Sequence, residues 1–136
     1  MPHEKRERRI QVSIRERVNA LVREVEAGRF VEAIDANYAD DASSHESTGI
    51  DTAGKPALLA KERTFLTTVE TWNVIRAVDV LVDGQMAAIH WKFELIIAGK
   101  RIEMEELALQ QWRGDGEHAR IVREQYFAFP PGSTPR

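Results

Sequence analysis

Residues 38 to 47, Tyr-Ala-Asp-Asp-Ala-Ser-Ser-His-Glu-Ser, separate two kinds of pattern in this sequence. Before them the apolar residues recur every three or four positions, and after them, beyond one more helical segment, the apolar residues mostly alternate. Asn and Asp favour turns over helix interiors, so the helical pattern is expected to end near residues 38–41. His45 and Glu46 are neighbouring titratable groups just beyond this change. We therefore expect the stretch to supply part of any chemical site.

Three helices are predicted. The first carries a single apolar stripe, and Gly28 ends it because glycine takes the left-handed conformation without cost. The stripe consists of Ile10, Ile14, Val18, Leu21 and Val25. A short second helix covers about residues 30–37. Pro56 suits the first turn of a third helix, which fades by about residue 71, where stiff β-branched residues accumulate.

A short extended segment at residues 42–46 and four long strands complete the predicted elements. From Trp72 onward the period is two, and tight turns at Asp83-Gly84, Gly99-Lys100 and Gly114-Asp115-Gly116 join the long strands. Helices segregated from a meander of strands indicate an α+β fold with an antiparallel sheet. A curled sheet that is covered by helices encloses a pocket.

The composition excludes several classes of function. The 136 residues include 19 basic and 22 acidic residues, a net charge of −3 and no cysteine. The chain carries no excess of basic residues to hold a phosphate backbone, so nucleic acid is not expected as a partner. The absence of cysteine excludes thiol chemistry, cysteine-based zinc sites and disulfides. No apolar run reaches the length of a membrane span and no signal peptide is evident, so we predict a cytoplasmic protein without a membrane partner. The scattered histidines predict no metal site.

Glu105 is the first candidate for chemistry. It lies mid-strand in phase with Leu107 and Leu109, and a carboxyl group on an apolar strand face is desolvated and suited to act as a general acid. It could equally face water or a dimer partner. His45 and Glu46 point to opposite faces of an extended segment, so only one of them enters a pocket, and alternation allows either. A polar strand edge explains both residues as well.

Histidine and aromatic side chains supply further candidates. His90 lies opposite the face that carries Trp91, so it lines a different surface or makes a structural hydrogen bond. Several aromatic residues suit a ligand-binding wall, although large aromatics in a small sheet commonly serve the core or a dimer contact. They are Trp72, Trp91, Trp112, Tyr126 and Phe127. Arg123 and Glu124 are typical of a cross-strand ion pair.

The order of elements resembles the SnoaL-like and ketosteroid-isomerase-like branch of the nuclear transport factor 2-like superfamily. The residues that carry the resemblance are Tyr-Ala-Asp-Asp-Ala at 38–42 and Arg-Ile-Val-Arg-Glu-Gln-Tyr-Phe at 120–127, within a match over about residues 14–129. It implies a cone-shaped α+β fold, in which a curved antiparallel sheet is wrapped by three helices around an enclosed pocket. Homodimers packed through the sheet are also implied. The SnoaL-like domain is predicted at residues 12–129, between a charged lead-in at 1–11 and a flexible tail at 130–136.

The resemblance implies site residues as well. Counting from Tyr38 places the base of ketosteroid isomerases at Glu46, and counting from Gly99 places their second carboxylic acid at Glu105. The tyrosine expected on the first helix falls at Val22, so steroid isomerisation by the usual machinery is not expected. SnoaL-like cyclases close rings by acid/base chemistry and need no cofactor.

We therefore predict a cofactor-independent isomerase or cyclase that binds a small apolar carbonyl compound and transfers a proton at carbon. Glu46 is the predicted base and Glu105 the predicted acid, with His90 or Tyr126 as a further donor. The predicted pocket residues are His45, His90, Trp91, Trp112 and Tyr126. Two alternatives remain open: a non-catalytic ligand-binding or dimerisation module, and a hydrolase that activates water.

Overall fold

The computed structural model describes residues 12–129, so the predicted lead-in and tail lie outside the described residues. The fold is α+β, as predicted. The elements in chain order are α1 (Ile14–Glu26), α2 (Phe30–Asn37), β1 (Tyr38–Glu46), β2 (Asp51–Ala53), α3 (Lys55–Leu66), β3 (Val69–Asp83), β4 (Met86–Ile97), β5 (Lys100–Arg113), a 3-10 turn (Gly116–His118) and β6 (Arg120–Phe129).

The ends of α1 follow from local sequence. Ser13 and Glu16 form a capping box, in which the Ser13 hydroxyl accepts from the Glu16 amide at 3.1 Å and the Glu16 carboxylate accepts from the Ser13 amide at 3.4 Å. Gly28 follows the helix with a φ of 81°, which confirms the predicted stop. The helix covers the sheet with Val18, Leu21 and Val22.

The six strands form one curved sheet in the order β2-β1-β6-β5-β4-β3. All neighbours are antiparallel except β1 and β6, which are parallel. The sheet is therefore mixed, whereas an antiparallel sheet was predicted. Parallel neighbours need a crossover connection, and here α3 and β3 to β5 all lie between β1 and β6 in the chain. A simple meander pairs only consecutive strands, so it does not include the pairing of β1 with β6.

The two faces of the sheet have different roles. Its inner face, defined by Ile89, Leu95 and Ile121, is fully buried beneath the helices. Its outer face is defined by Leu81 and Phe127, which are exposed by 69% and 38%. No helix among residues 12–129 is long and apolar enough to cross a membrane. The inner face and the helices together position the site.

Candidate functional site

A cavity of about 300 Å³ lies between the inner face of the sheet and the three helices. Apolar side chains from every helix contribute to its walls. These are Leu21, Val25, Phe30, Ala33, Ile34, Leu58 and Phe65 from the helices, and Trp72, Trp91, Phe93, Met104 and Ala128 from the sheet. The exposed lining residues Ser47, Thr48 and Lys61 mark its mouth.

The aromatic residues form a continuous wall of this cavity. The Trp72 ring lies at its centre, 4.7 Å from the Phe30 ring, 5.8 Å from the Phe93 ring and 6.3 Å from the Phe65 ring. The Trp91 ring stacks on Phe93 at 5.8 Å. Such contacts hold large rings in fixed orientations, so the wall presents defined π faces to whatever occupies the cavity.

Helix α3 turns one face toward the cavity. Leu58, Lys61, Glu62 and Phe65 all line it, and their spacing of three, one and three residues places them on a single side of an α-helix. Burial raises the pKa of the Glu62 carboxyl, Lys61 opposes this rise, and the nearby Glu124 adds to it. Glu62 is thus an acidic group on an otherwise apolar helical stripe.

Glu124 lies at the floor of the cavity and is 1% exposed. One of its carboxylate oxygens accepts hydrogen bonds from the hydroxyls of Tyr38 and Tyr126, and the other accepts from the Gln110 amide at 2.7 Å. Burial raises the pKa of Glu124, and these three hydrogen bonds oppose the rise. The cross-strand ion pair predicted for Arg123 and Glu124 is wrong, because Glu124 is instead satisfied by neutral donors.

The two tyrosine hydroxyls are 3.4 Å apart. Burial raises the pKa of both phenols well above the usual value, and the Glu124 carboxylate raises it further. Their protons are donated to Glu124, so what Tyr38 and Tyr126 can offer to the cavity is an accepting oxygen lone pair. Phenols are therefore present at the site although α1 carries Val22 at the position expected for a tyrosine.

The carboxyl group of Glu106 lines the cavity and has a strongly raised pKa. Burial is the main reason that its pKa rises to about 7, and the carboxylates of Glu124, Glu62 and Glu46 raise it further while Lys61 opposes them. In the sheet it lies between Trp91 on β4 and Ala128 on β6. Among residues 12–129 no hydrogen bond or ion pair reaches its carboxyl group. Glu106 is thus a carboxyl group in an apolar cavity wall that changes its protonation state near neutral pH.

Glu46 lines the cavity near its mouth and forms an ion pair with Lys61. Its neighbour His45 points to the outer face, where its Nδ1 lies 2.9 Å from the Asp51 carboxylate. Of the other predicted pocket residues, Trp91 and Tyr126 line the cavity. The role of Glu46 as a base stays a prediction.

The structure does not bring Glu105 into the cavity, which corrects its expected pairing with Glu46. Glu105 lies opposite Lys92 in the sheet and its carboxylate is 4.0 Å from His90 Nε2. His90 is also 3.6 Å from the Asp79 carboxylate. Successive strand residues face opposite sides, so Glu105 and His90 share the outer face while Glu106 faces inward. A catalytic role for Glu105 would therefore require chemistry outside this cavity.

Trp112 is not a pocket residue either. It is buried in the core, where its indole N–H donates to Gln110 Oε1 at 3.2 Å. The Arg17 guanidinium lies 5.7 Å from the centre of its ring. This arrangement fixes the Gln110 amide, which in turn donates to Glu124, so Trp112 supports the floor of the cavity from behind.

Sequence reasoning did not assign several polar lining residues to the cavity, and four of them carry titratable groups buried in it: Tyr38, Glu62, Glu106 and Glu124. Signals for two of them were present. Glu62 lies four residues after Leu58 and three before Phe65, within an apolar helical stripe. Glu106 is in phase with Ala108 and Trp112 on its strand, although the larger Leu107 and Leu109 favoured the other face. Among the described residues, no three His, Asp or Glu side chains come together as a metal site.

Solved structures with the same fold are numerous, whereas no family model and no curated protein matches this chain. A Mesorhizobium loti protein proposed to be a SnoaL-like polyketide cyclase superposes with a TM-score of 0.73 at 22% identity, covering 85% of this chain and 98% of that one. A Catenulispora acidiphila protein with a ketosteroid isomerase-like fold, in complex with trimethylamine, gives 0.68 at 16% identity, covering 87% and 88%.

A Burkholderia xenovorans NTF2-like protein of unknown function gives a TM-score of 0.66 at 20% identity, covering 90% of this chain and 87% of that one. These identities are low, and one fold supports many activities. The comparisons therefore confirm the predicted SnoaL-like, NTF2-like and ketosteroid isomerase-like fold, and the activity must be argued from the cavity.

Proposed function

We propose that this protein binds a small organic carbonyl compound in its cavity and transfers a proton at carbon without a cofactor, with Glu106 as the acid/base group. One observation carries the proposal: Glu106 faces an apolar cavity, and its burial raises its pKa to about 7. A general acid or base is most effective when its pKa lies near the working pH, because both protonation states are then populated.

The reaction needs a base and a stabiliser of negative charge. Ionised Glu106 takes a proton from the carbon next to the carbonyl group, and the protonated Glu106 returns it to another carbon. The enolate oxygen formed in between needs a hydrogen-bond donor. The Gln110 amide is suited to this task, since it lines the cavity and only one of its two N–H groups donates to Glu124. Tyr38 and Tyr126 already donate to Glu124 and serve to hold the floor.

The similar structures support the proposal at a coarser level. The proposed polyketide cyclase from Mesorhizobium loti has this fold, and the Catenulispora acidiphila protein is in complex with a small organic molecule. Both are consistent with a small-molecule site. The apolar walls of the cavity favour a compound with an apolar body, and Glu106 supports a proton-transfer role more directly than Glu46, whose carboxylate is bound by Lys61.

Hydrogen–deuterium exchange at carbon tests the activity without knowledge of the natural substrate. Simple enolisable ketones, cyclohexanone and acetophenone, are incubated with the protein in D2O, and the loss of the α-proton NMR signal is followed. We expect exchange above background with the native protein and with Glu105→Gln, and none above background with Glu106→Gln. Equal exchange rates for native protein and Glu106→Gln would refute the assignment. A ligand that binds without any exchange would favour a non-catalytic binding module.

We also propose that the outer face of the sheet packs against a second copy of the chain. Leu81 and Phe127 are large apolar residues exposed on this face, and the half-buried Leu107 and Leu109 lie between their strands. Exposed apolar patches of this kind commonly mark contact surfaces. Phe127→Glu should then halve the mass measured by light scattering, whereas Ile50→Glu, at an exposed apolar residue in the turn between β1 and β2, should not. A native protein that is monomeric at high concentration contradicts the proposal.

A further inference from the structure

The charges that line the cavity do not balance. Four carboxyl groups line it, those of Glu46, Glu62, Glu106 and Glu124, and Lys61 is the one basic residue among these lining side chains. Lys61 is paired with Glu46 at the mouth. Glu124 accepts three neutral hydrogen bonds. Glu62 and Glu106 are left without a hydrogen bond or ion pair from residues 12–129, and both contribute to the cavity wall.

Hydrogen-bond acceptors and donors in the cavity are also unequal in number. The hydroxyls of Tyr38 and Tyr126 and the Gln110 amide all direct their protons at Glu124. The remaining capacity of the two phenol oxygens toward the cavity is to accept, while the Gln110 amide keeps a second N–H. When Glu62 and Glu106 are ionised, they can only accept as well. Acceptors therefore outnumber donors among these groups, which suits a ligand that brings donors.

The aromatic rings of the cavity wall favour the same class of ligand for a separate reason. Trp91 is the direct cross-strand neighbour of Glu106, and Phe65 lies on the same helical face as Glu62, three residues away. The faces of aromatic rings carry negative electrostatic potential and attract cations, tryptophan most strongly. Each of these carboxyl groups thus has an aromatic neighbour in the cavity wall, and both features attract a positive charge.

We propose that the ligand of this cavity is a small organic ammonium compound, whose charged nitrogen is balanced by Glu62 and Glu106 and whose apolar body lies against Trp72, Trp91 and Phe93. The inference rests on the proposed function only in that the cavity is the ligand site. It names the chemical class of the ligand, a cation rather than a neutral apolar compound.

The proposal couples binding to protons. The charged or titratable groups that face Glu106 are Glu46 and Tyr38 on β1, Lys61 and Glu62 on α3, and Glu124 and Tyr126 on β6. A bound cation stabilises ionised carboxylates and so lowers their pKa. Because the pKa of Glu106 is about 7, cation binding near neutral pH releases a proton from it. The cation also converts Glu106 into the ionised form that acts as a base.

Three probes of the same size separate charge from shape: benzylammonium, benzyl alcohol and benzoate. Isothermal titration calorimetry at about pH 5.5 and about pH 8 measures their affinities on either side of the Glu106 titration. We expect benzylammonium to bind at least tenfold more tightly than benzyl alcohol at the higher pH, with a smaller preference at the lower pH. Benzoate should bind more weakly than either. Glu62→Gln and Glu106→Gln should each reduce the cation preference while benzyl alcohol still binds.

The outcomes distinguish this inference from the proposed function. Equal affinities for benzylammonium and benzyl alcohol at the higher pH would overturn the cation proposal and leave the cavity as a site for neutral compounds. Binding of none of the three would overturn both. The matched control is Glu105→Gln, which removes a carboxylate from the outer face of the same strand; a loss of cation preference there as large as in Glu106→Gln would also overturn the inference. Proton release, measured from the heat in buffers of different ionisation enthalpy, is expected for benzylammonium alone.

Discussion

Replacing Glu106 by Gln should stabilise the protein, and by more as the pH rises. The folded protein holds the pKa of Glu106 at about 7, whereas an unfolded chain leaves a glutamate near its ordinary value. The folded state therefore binds the proton more tightly. The stability associated with this group is fully present below the unfolded pKa and is lost as the pH rises through the folded pKa. A glutamine resembles the protonated carboxyl in size and cannot ionise, so the variant escapes this loss.

The size of the effect follows from the shift. A rise in the pKa from the ordinary glutamate value of 4.5 to about 7 corresponds to about 3 kcal/mol of lost stability once Glu106 is fully ionised. For a domain of this length, about 3 kcal/mol changes the midpoint of thermal unfolding by roughly 10 °C. Glu106→Gln should therefore unfold at nearly the native midpoint at low pH and at a clearly higher one above neutral pH.

Thermal unfolding followed by circular dichroism from about pH 4.5 to about pH 8.5 measures this difference directly. Glu105→Gln is the matched control, since it makes the same chemical change one residue away on the outer face. The reasoning is refuted if the difference between Glu106→Gln and the native protein does not change with pH. It is equally refuted if Glu105→Gln gains as much stability at high pH as Glu106→Gln, because the cavity would then not be the cause.

Four further substitutions test other parts of the structure. Tyr38→Phe and Tyr126→Phe each remove a donor to the buried Glu124, so each should cost about 1–3 kcal/mol in urea unfolding; a neutral result for both would contradict the hydrogen-bond network. Gly28→Ala should cost about 1 kcal/mol from its left-handed backbone alone, because no atom lies within 4 Å of the added methyl group, and an unchanged midpoint of unfolding would argue against that conformation. Ser13→Ala should lower the free energy of unfolding by about 1 kcal/mol through loss of the capping box, whereas Ser13→Asp, which keeps an accepting oxygen at the N-cap, should leave it nearly unchanged.

Much of the fold was open to prediction because the relevant forces are local. The second helix was predicted at residues 30–37 and occurs there, since Asn37 and the following Asp residues disfavour continuation. The long strands end within a few residues of the predicted turns, because glycine residues mark those turns. The parallel pairing of β1 with β6 was missed, because it joins segments about eighty residues apart and depends on the curvature of the whole sheet.

The residues of the site were harder to predict from the sequence than the fold. Two of its groups, Tyr38 and Glu124, interact with each other across 86 residues, and no local pattern reports such a contact. Glu62 could be predicted to line the cavity only if an acidic residue were accepted as part of the apolar stripe on its helix. A carboxylate normally marks the solvent side of a helix, so the pattern is informative only when a cavity is already expected beneath it.

The misplacement of Glu105 has a physical cause that bears on assembly. Alternation identifies the buried side of a strand only when one side is apolar and the other polar. On β5 both sides carry apolar residues, with Met104 and Ala108 inside and Leu107 and Leu109 outside. Leu107 and Leu109 form an apolar patch on an outer face that also carries charged groups, and the exposed Phe127 beside Leu107 extends this patch. The ambiguity that drew Glu105 toward the predicted core is therefore itself a reason to expect this face to be covered, which is what the Phe127→Glu measurement tests.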